Sequence, residues 1–421
     1  MDGWSKKRLR EITKKIGSGA TPKGGSEAYK GSGISLFRSL NVHDRTFKEK
    51  NLAFIDEEQA SKLSNVEVQE GDVLLNITGA SIARCCVAPS ELLPARVNQH
   101  VAIIRPKSDY IDSNFLMYLL VSKQYKEALL NTGEKAGSTR QALTKQQLEN
   151  FEVTIPKFSE QKRIVAILDE AFEGIDRAIA NTEKNLINSG EVFESYLNAI
   201  FTQKGDGWVE KKLDDICKEI TVGHVGSMAS KYKDSGIPFL RSQNILPFRI
   251  KLDNVVFIDN EFHSALKKSQ LRPGDLAIVR TGYPGTAAVI PEELKIVNCS
   301  DLVIVKPGEN VNPHYLCLFF NSIFGKTLVG SRLVGAAQKH FNITTAKKVF
   351  IPFPCLTEQN CLVTKIDELA IETQRLEAIY RQKLTALNEL KQSILQKAFT
   401  GELTADTANQ VRKTAKEGIA A

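Results

Sequence analysis

Over residues 159–204, and again over 357–412, proline is absent and apolar residues recur every three or four positions. The first series runs from Ile164, Leu168, Ala171 and Ile175 through Ile179 and Leu186 to Phe193, Tyr196 and Ile200. The second runs from Leu362, Ile366 and Leu369 through Leu376 and Leu384 to Ile394 and Ala398. That spacing places one apolar stripe along a helix. At 1.5 Å per residue each helix is expected to run roughly 60–65 Å. A seam of that length exceeds what a small core covers, so the two helices are expected to cover each other. Each follows its own stretch of mixed sequence, so an antiparallel pairing would place those stretches at opposite ends. Ser159 and Thr357, each just after a proline-containing loop and before Glu-Gln, are the expected N-caps. Gly174 and Gly190 each cost about 1 kcal/mol against alanine, and NSG at 188–190 reads as a kink or a short break.

The remaining sequence changes period. AFIDE, VEVQEGDVLLNIT, CCVAP and VNQHVAIIRP combine β-branched residues with flanking turn residues and read as strands. FLMYLLVSKQYKEALL (115–130) and YLCLFFNSIFGKTLV (315–329) read as helices. Such stretches predict α/β or α+β globules.

The whole pattern is written twice. GISLFRSLNV (33–42) returns as GIPFLRSQNI (236–245), and EGDVLLNITGA (70–80) as PGDLAIVRTGY (273–283). RVNQHVAIIRP (96–106) returns as IVNCSDLVIVKP (296–307), and SEQKRIVAILDEAF (159–172) as TEQNCLVTKIDELA (357–370). The offset drifts only a little around two hundred residues. That is too long for a solenoid repeat and predicts two copies of a globule followed by a long helix.

Composition removes several function classes. No run of about 18 apolar residues is present, and MDGWSKKRLR carries no apolar leader. The seven cysteines are scattered without a C-x-x-C pair, so neither zinc nor a disulfide framework is indicated, and a reducing cytoplasm is expected. The net charge of +7 divides as +4 over 1–155 and +5 over 206–352, with the helical stretches near neutral or acidic. The excess therefore sits on the two globules, as polyanion-facing domains require.

No catalytic motif survives inspection. NPHY (312–315) resembles a methyltransferase signature with His314 in place of the second proline. Its repeat partner DSNF (112–115) shows that it opens a helix, with Asn312 as N-cap and Pro313 next. FNSIFGKT (320–327) has Phe320 where a phosphate loop needs glycine. No metal site is expected. What recurs in both copies is polar side chains at strand ends and in loops. Arg38, Ser39 and Asn41 match Arg241, Ser242 and Asn244. A second loop supplies Asn76, Thr78 and Arg84 against Arg280, Thr281 and Tyr283. A third place offers Asn98, Gln99 and His100, and a fourth Ser138, Thr139, Arg140 and Gln141 against Gln338, Lys339 and His340. Arginine pairs bidentately with guanine and asparagine with adenine, and both also serve phosphates. These are the candidate DNA contacts.

In their order, FRSLNV/LRSQNI, EGDVLLNITGA/PGDLAIVRTGY, PKFSEQKRIVAILDEAF/PCLTEQNCLVTKIDELA and the ending QSILQKAFTGELT (392–404) resemble the specificity subunit of Type I restriction–modification enzymes. The resemblance implies a duplicated α/β (α+β) fold of pseudo-two-fold symmetry. Two target recognition domains (1–156 and 206–354) would be separated by two long helices (157–205 and 355–404) forming an antiparallel coiled coil, with a tail at 405–421 expected to fray. It implies one recognition domain per half of a split, asymmetric DNA site, with the helices setting the gap. It further implies two modification subunits that use S-adenosylmethionine, and motor-nuclease subunits that use ATP and Mg. This chain itself would perform no catalysis and hold no cofactor. NQH (98–100) against NCS (298–300), and NIT against VRT, depart from strict duplication, as halves reading different sequences would. A free-standing two-domain DNA-binding regulator that dimerises through its helices, and a nucleic-acid enzyme with an unrecognised site, are the alternatives.

Overall fold

The computed structural model describes residues 3–22, 24–134, 142–228, 230–331 and 340–404. The chain divides into two compact units, Met1–Thr182 with Lys383–Ala421, and Glu183–Gln382. The candidate residues Ser138, Thr139, Arg140, Gln141, Gln338 and Lys339, and the tail 405–421, lie outside the described residues.

The first unit holds two four-stranded sheets. One has the order Ala53–Ile55, Ile34–Phe37, Ala95–Val97, Glu67–Val68, with the central two strands parallel. The other has the order Thr13–Ser18, Val101–Pro106, Val73–Asn76, Cys85–Val87 and is antiparallel throughout. The second unit repeats both orders strand for strand. There Ile237–Leu240 lies parallel to Val297–Cys299, and Leu302–Pro307 lies between Cys217–Val222 and Leu276–Val279. The repeated glycine ahead of FRS and LRS is required by close approach. Gly33 and Gly236 have φ of 135° and 137°, and a Cβ there would stand 2.6 and 2.5 Å from the carbonyl oxygens of Ile55 and Ile258.

The parallel pair corrects the sequence alignment. Val97 faces Phe37, whereas Cys299 faces Leu240, the residue equivalent to Phe37. Cys299 is therefore the counterpart of Val97, so NCS is not the counterpart of NQH. The first unit's Asn98-Gln99-His100 is answered by the shorter Ser300-Asp301, and Asn298 is a fully buried strand residue.

The expected helix 115–130 is two helices, Ser113–Val121 and Lys123–Glu134, and 315–329 is likewise Pro313–Asn321 and Ile323–Ser331. The break falls on Ser122 and Ser322, whose hydroxyls donate to the carbonyls of Leu119 and Phe319 at 2.7 Å and whose backbones are extended. A local serine bond competes with helix continuation, and hydropathy spacing is blind to it. Asn312 does cap its helix, accepting from the His314 N–H at 2.8 Å with Pro313 at the first position.

The long helices are Phe158–Gln203 and Leu356–Thr400. The first runs unbroken through Gly174 and Gly190, so NSG is not a gap. Ser159 and Thr357 lie one residue inside the helices rather than capping them. In the first unit Ile164, Leu168, Phe172 and Ile175 share a core with Leu395, Ala398 and Phe399. In the second, Leu197 and Phe201 share one with Val363 and Ile366. Each unit thus joins the opening of one long helix to the closing stretch of the other, which is antiparallel pairing. The seam uses Phe172 and Leu197 in place of the expected Ala171 and Tyr196, Tyr196 being 43% exposed. At these two positions the more apolar neighbour takes the interior, while Ile164, Leu168, Ile175, Ile366 and Ala398 are buried as expected.

Gln161 and Gln359, from the repeated S/T-E-Q, fix each helix to its globule. Both are fully buried. Gln161 Nε2 donates to the carbonyls of Tyr110 and Pro156 at 3.0 Å, and its Oε1 accepts from the Asp112 N–H at 3.0 Å. Gln359 repeats the set with Asn310, Pro354 and the Asn312 N–H.

Candidate nucleic-acid interface

Strand order decides which loops meet. The carboxyl ends of Ile34–Phe37, Val73–Asn76 and Ala95–Val97 and the start of Val101–Pro106 lie at one edge, because the parallel and antiparallel registers bring their ends together. The loops that leave this edge hold the described candidate residues. Ile77 N–H donates to the His100 carbonyl at 3.0 Å, and Leu143 N–H to the Ile77 carbonyl at 2.9 Å. The stretch after the helical pair therefore joins the same cluster. The second unit closes it through Phe341 N–H to the Arg280 carbonyl at 3.1 Å.

Asn41 and Asn244 are the frame of the first loop and do not face outward. Both are fully buried. The Asn41 Oδ1 accepts from Arg38 N–H at 3.2 Å, and its Nδ2 donates to the Lys48 carbonyl at 2.8 Å. Asn244 does the same with Arg241 N–H and the Lys251 carbonyl, at 3.0 and 2.9 Å. As candidate DNA contacts they are corrected to a structural frame, since a base edge would have to displace two internal hydrogen bonds. Asn76 is also fully buried, its Nδ2 donating to the Ser39 carbonyl at 2.9 Å and to Ser81 Oγ at 3.1 Å. It ties the first loop to the second, and Val279 occupies its place in the other unit. Asn98 is turned inward and accepts from His100 N–H at 3.0 Å.

Arg38 and Arg241 are half-buried and held alike. Each guanidinium lies over a tyrosine ring, Tyr29 at 5.0 Å and Tyr232 at 5.8 Å. Each donates to the carbonyl of an asparagine with positive φ: Arg38 to Asn51, and Arg241 to Asn254 at 2.8 Å. One edge of each guanidinium is thereby committed. Ser39 and Ser242 stand beside them partly exposed, with Ser242 Oγ 3.5 Å from the Asp301 carbonyl oxygen.

On this common frame the outward groups differ. In the first unit Thr78 Oγ1 lies 2.6 Å from His100 Nδ1, and the exposed Gln99 places Nε2 3.1 Å from His100 Nε2. Arg84, in the same loop, is partly exposed. In the second unit Arg280 donates to Asp301 Oδ1 at 3.0 Å, and Thr281 Oγ1 lies 3.3 Å from Asp301 Oδ2 and 2.9 Å from His340 Nδ1. Tyr283 projects beside them, 83% exposed. Asp301 was missed because the alignment placed NCS against NQH. Its signal is the one-residue contraction and its left-handed backbone, φ 51°. It means that Arg280 presents a donor beside an acceptor, not a lone cation. Among the described residues no group of three or more His, Cys, Asp or Glu side chains is placed to hold a metal ion, and no helix is long and apolar enough to cross a membrane.

The family model for the type I restriction modification DNA specificity domain matches residues 1–189 and again 205–386. The chain belongs to this family. Its two matches coincide with the two copies read from the sequence. The specificity subunit of the EcoBI type I restriction enzyme of Escherichia coli is 23% identical over 341 residues, 74% of this chain and 70% of that protein. The EcoKI specificity subunit of E. coli K12 is 22% identical over 88% of this chain and 83% of that protein. A solved chain from work on complex assembly and conformational transition of the type I R-M system superposes with a TM-score of 0.72. It covers 96% of this chain and 99% of that one at 18% identity, a likeness of fold. The specificity family thus accounts for the duplicated sheets and the long helices together.

Proposed function

We propose that this chain is the DNA specificity subunit of a Type I restriction–modification complex, with one recognition domain reading each half of a bipartite, asymmetric site. The observation that carries the reading is the pair of loop clusters at the same sheet edge. They are built on one shared frame (Asn41 or Asn244, Arg38 or Arg241) and present different outward groups. A shared frame with divergent tips is what two related domains need in order to read two different sequences by base-edge contacts. The globules carry the positive charge, which supplies the sequence-independent attraction to phosphate. In this reading the long helices scaffold two modification subunits and, where present, motor-nuclease subunits. Adenine methylation with S-adenosylmethionine, and ATP- and Mg-dependent cleavage, belong to those partners; this chain contributes selection and no bond chemistry.

The test is single-molecule mapping of adenine methylation in the host. One bipartite methylated motif should disappear on deletion of this gene and return on complementation. A motif that survives the deletion, or methylation by the purified chain alone, would overturn the proposal.

A further inference from the structure

The two units are not equivalent where the first loop meets the long helices. Each loop contains a hairpin, Val42–His43 with Thr46–Phe47 and Ile245–Leu246 with Arg249–Ile250. The tip residue has positive φ in both, Arg45 at 67° and Phe248 at 64°. In the first unit Arg45 donates to Asp176 at 2.6 Å and lies 4.3 Å above the ring of Phe172. Lys391 joins from the C-terminal helix, bonded to Asp176 and 6.0 Å from the same ring. The space is filled by an aromatic ring flanked by two cations and backed by a carboxylate.

The repeat places Ala370 at the position of Phe172, Gln374 at Asp176 and Phe193 at Lys391. In the second unit Phe248 meets Phe193 edge to face at 6.2 Å. Ala370 carries no ring of its own, and a cleft of about 1010 Å³ opens beside the two phenylalanines. Its floor is Cys317, Leu318, Val363, Ile366 and Ala370, and its walls include the two phenylalanines. Glu191, Glu194 and Asp367 stand on its lining against Arg249 and His314. Asp367 is the counterpart of Asp169, which in the first unit accepts from the Tyr118 hydroxyl at 2.6 Å. Leu318 stands where Tyr118 would be, and offers no hydroxyl.

We propose that this cleft receives an aromatic side chain flanked by basic residues from a partner polypeptide. The inference goes beyond DNA recognition and does not depend on it. Two observations select the occupant. The filled twin shows what the architecture accepts: a ring seated on the apolar floor with cations over its face. The carboxylates lining the open copy favour positive flanks and oppose acidic ones. Phe193 and Phe248 supply ring edges for an incoming aromatic.

The test uses the full chain and three fluorescent pentapeptides, Lys-Arg-Phe-Arg-Lys, Lys-Arg-Ala-Arg-Lys and Glu-Glu-Phe-Glu-Glu, followed by anisotropy. The first should bind saturably, and the other two at least about tenfold more weakly. Ala370→Phe installs the ring of the first unit and should abolish binding while leaving the melting temperature unchanged or raised. Asp367→Asn, which keeps the cleft open, should weaken the basic peptide several-fold. No saturable binding of the first peptide, equal binding of the alanine or acidic peptide, or unchanged binding to Ala370→Phe would overturn the proposal. Undiminished binding to Asp367→Asn would overturn the electrostatic half of it.

Discussion

Replacing Gln161 by leucine tests whether the long helix is held to its globule by one buried amide. Leucine nearly preserves the volume, so no large cavity opens, and the loss is of hydrogen bonding alone. The bond to the Pro156 carbonyl is buried, and those to the Tyr110 carbonyl and the Asp112 N–H are partly buried. A buried main-chain group left without a partner costs about 1–3 kcal/mol, and the two part-buried ones about 1 kcal/mol each. The expected loss is therefore about 3–5 kcal/mol. Gln161→Glu keeps the acceptor for Asp112 but faces two carbonyls with a carboxylate, and should be at least as damaging. The chain has two tryptophans. Trp4 packs 6.4 Å from Phe115 in the first unit, and Trp208 packs 6.3 Å from Tyr315 in the second. Urea titration followed by fluorescence in a Trp208→Phe background thus reports the first unit. Hydrogen exchange should show faster exchange at Asp112. A loss under about 1 kcal/mol, or a glutamate variant as stable as the parent, would refute the reasoning.

Burial would raise the Asp176 carboxyl, but hydrogen bonds from Lys391 and Arg45 outweigh it and hold the group below the usual carboxylate range. The stabilisation is then complete above about pH 4 and lost as pH falls through the folded value. Asp176→Asn should cost the first unit about 1 kcal/mol at pH 7, discounted for solvent screening of a half-exposed carboxylate, and the difference should vanish in acid melts. Thiol titration of the native chain should find Cys355 and Cys361 reactive, while Cys86 and Cys317, pushed up to about 12 by burial, respond only after unfolding. Matched insertions of seven helical residues within 175–190 and 373–388 should lengthen the unspecified gap of the methylated motif by about 10 Å, roughly three base pairs. Altered half-sites with an unchanged gap would refute a spacing role for the helices.

The sequence by itself determined the duplication, the helices and the absence of a familiar catalytic signature. Those features are written in periodicity and repeated order, which survive without knowledge of neighbours. It also singled out FRSLNV and LRSQNI correctly as a shared element, but not the direction in which its polar groups point. In one dimension Asn41 and Asn244 are candidate DNA contacts as much as common structure, and only the folded loop shows their amides spent on the chain's own backbone. The seam shifted from Ala171 to Phe172 because packing prefers the larger ring, a choice that spacing alone leaves open. Asp301 emerged only when strand pairing set Cys299 opposite Leu240, since register follows hydrogen bonding and not residue identity. The cleft at Ala370 required both levels. The sequence supplied a phenylalanine in one copy and an alanine in the other, and the tertiary structure decided that a cleft opens between Ala370 and the paired rings of Phe193 and Phe248.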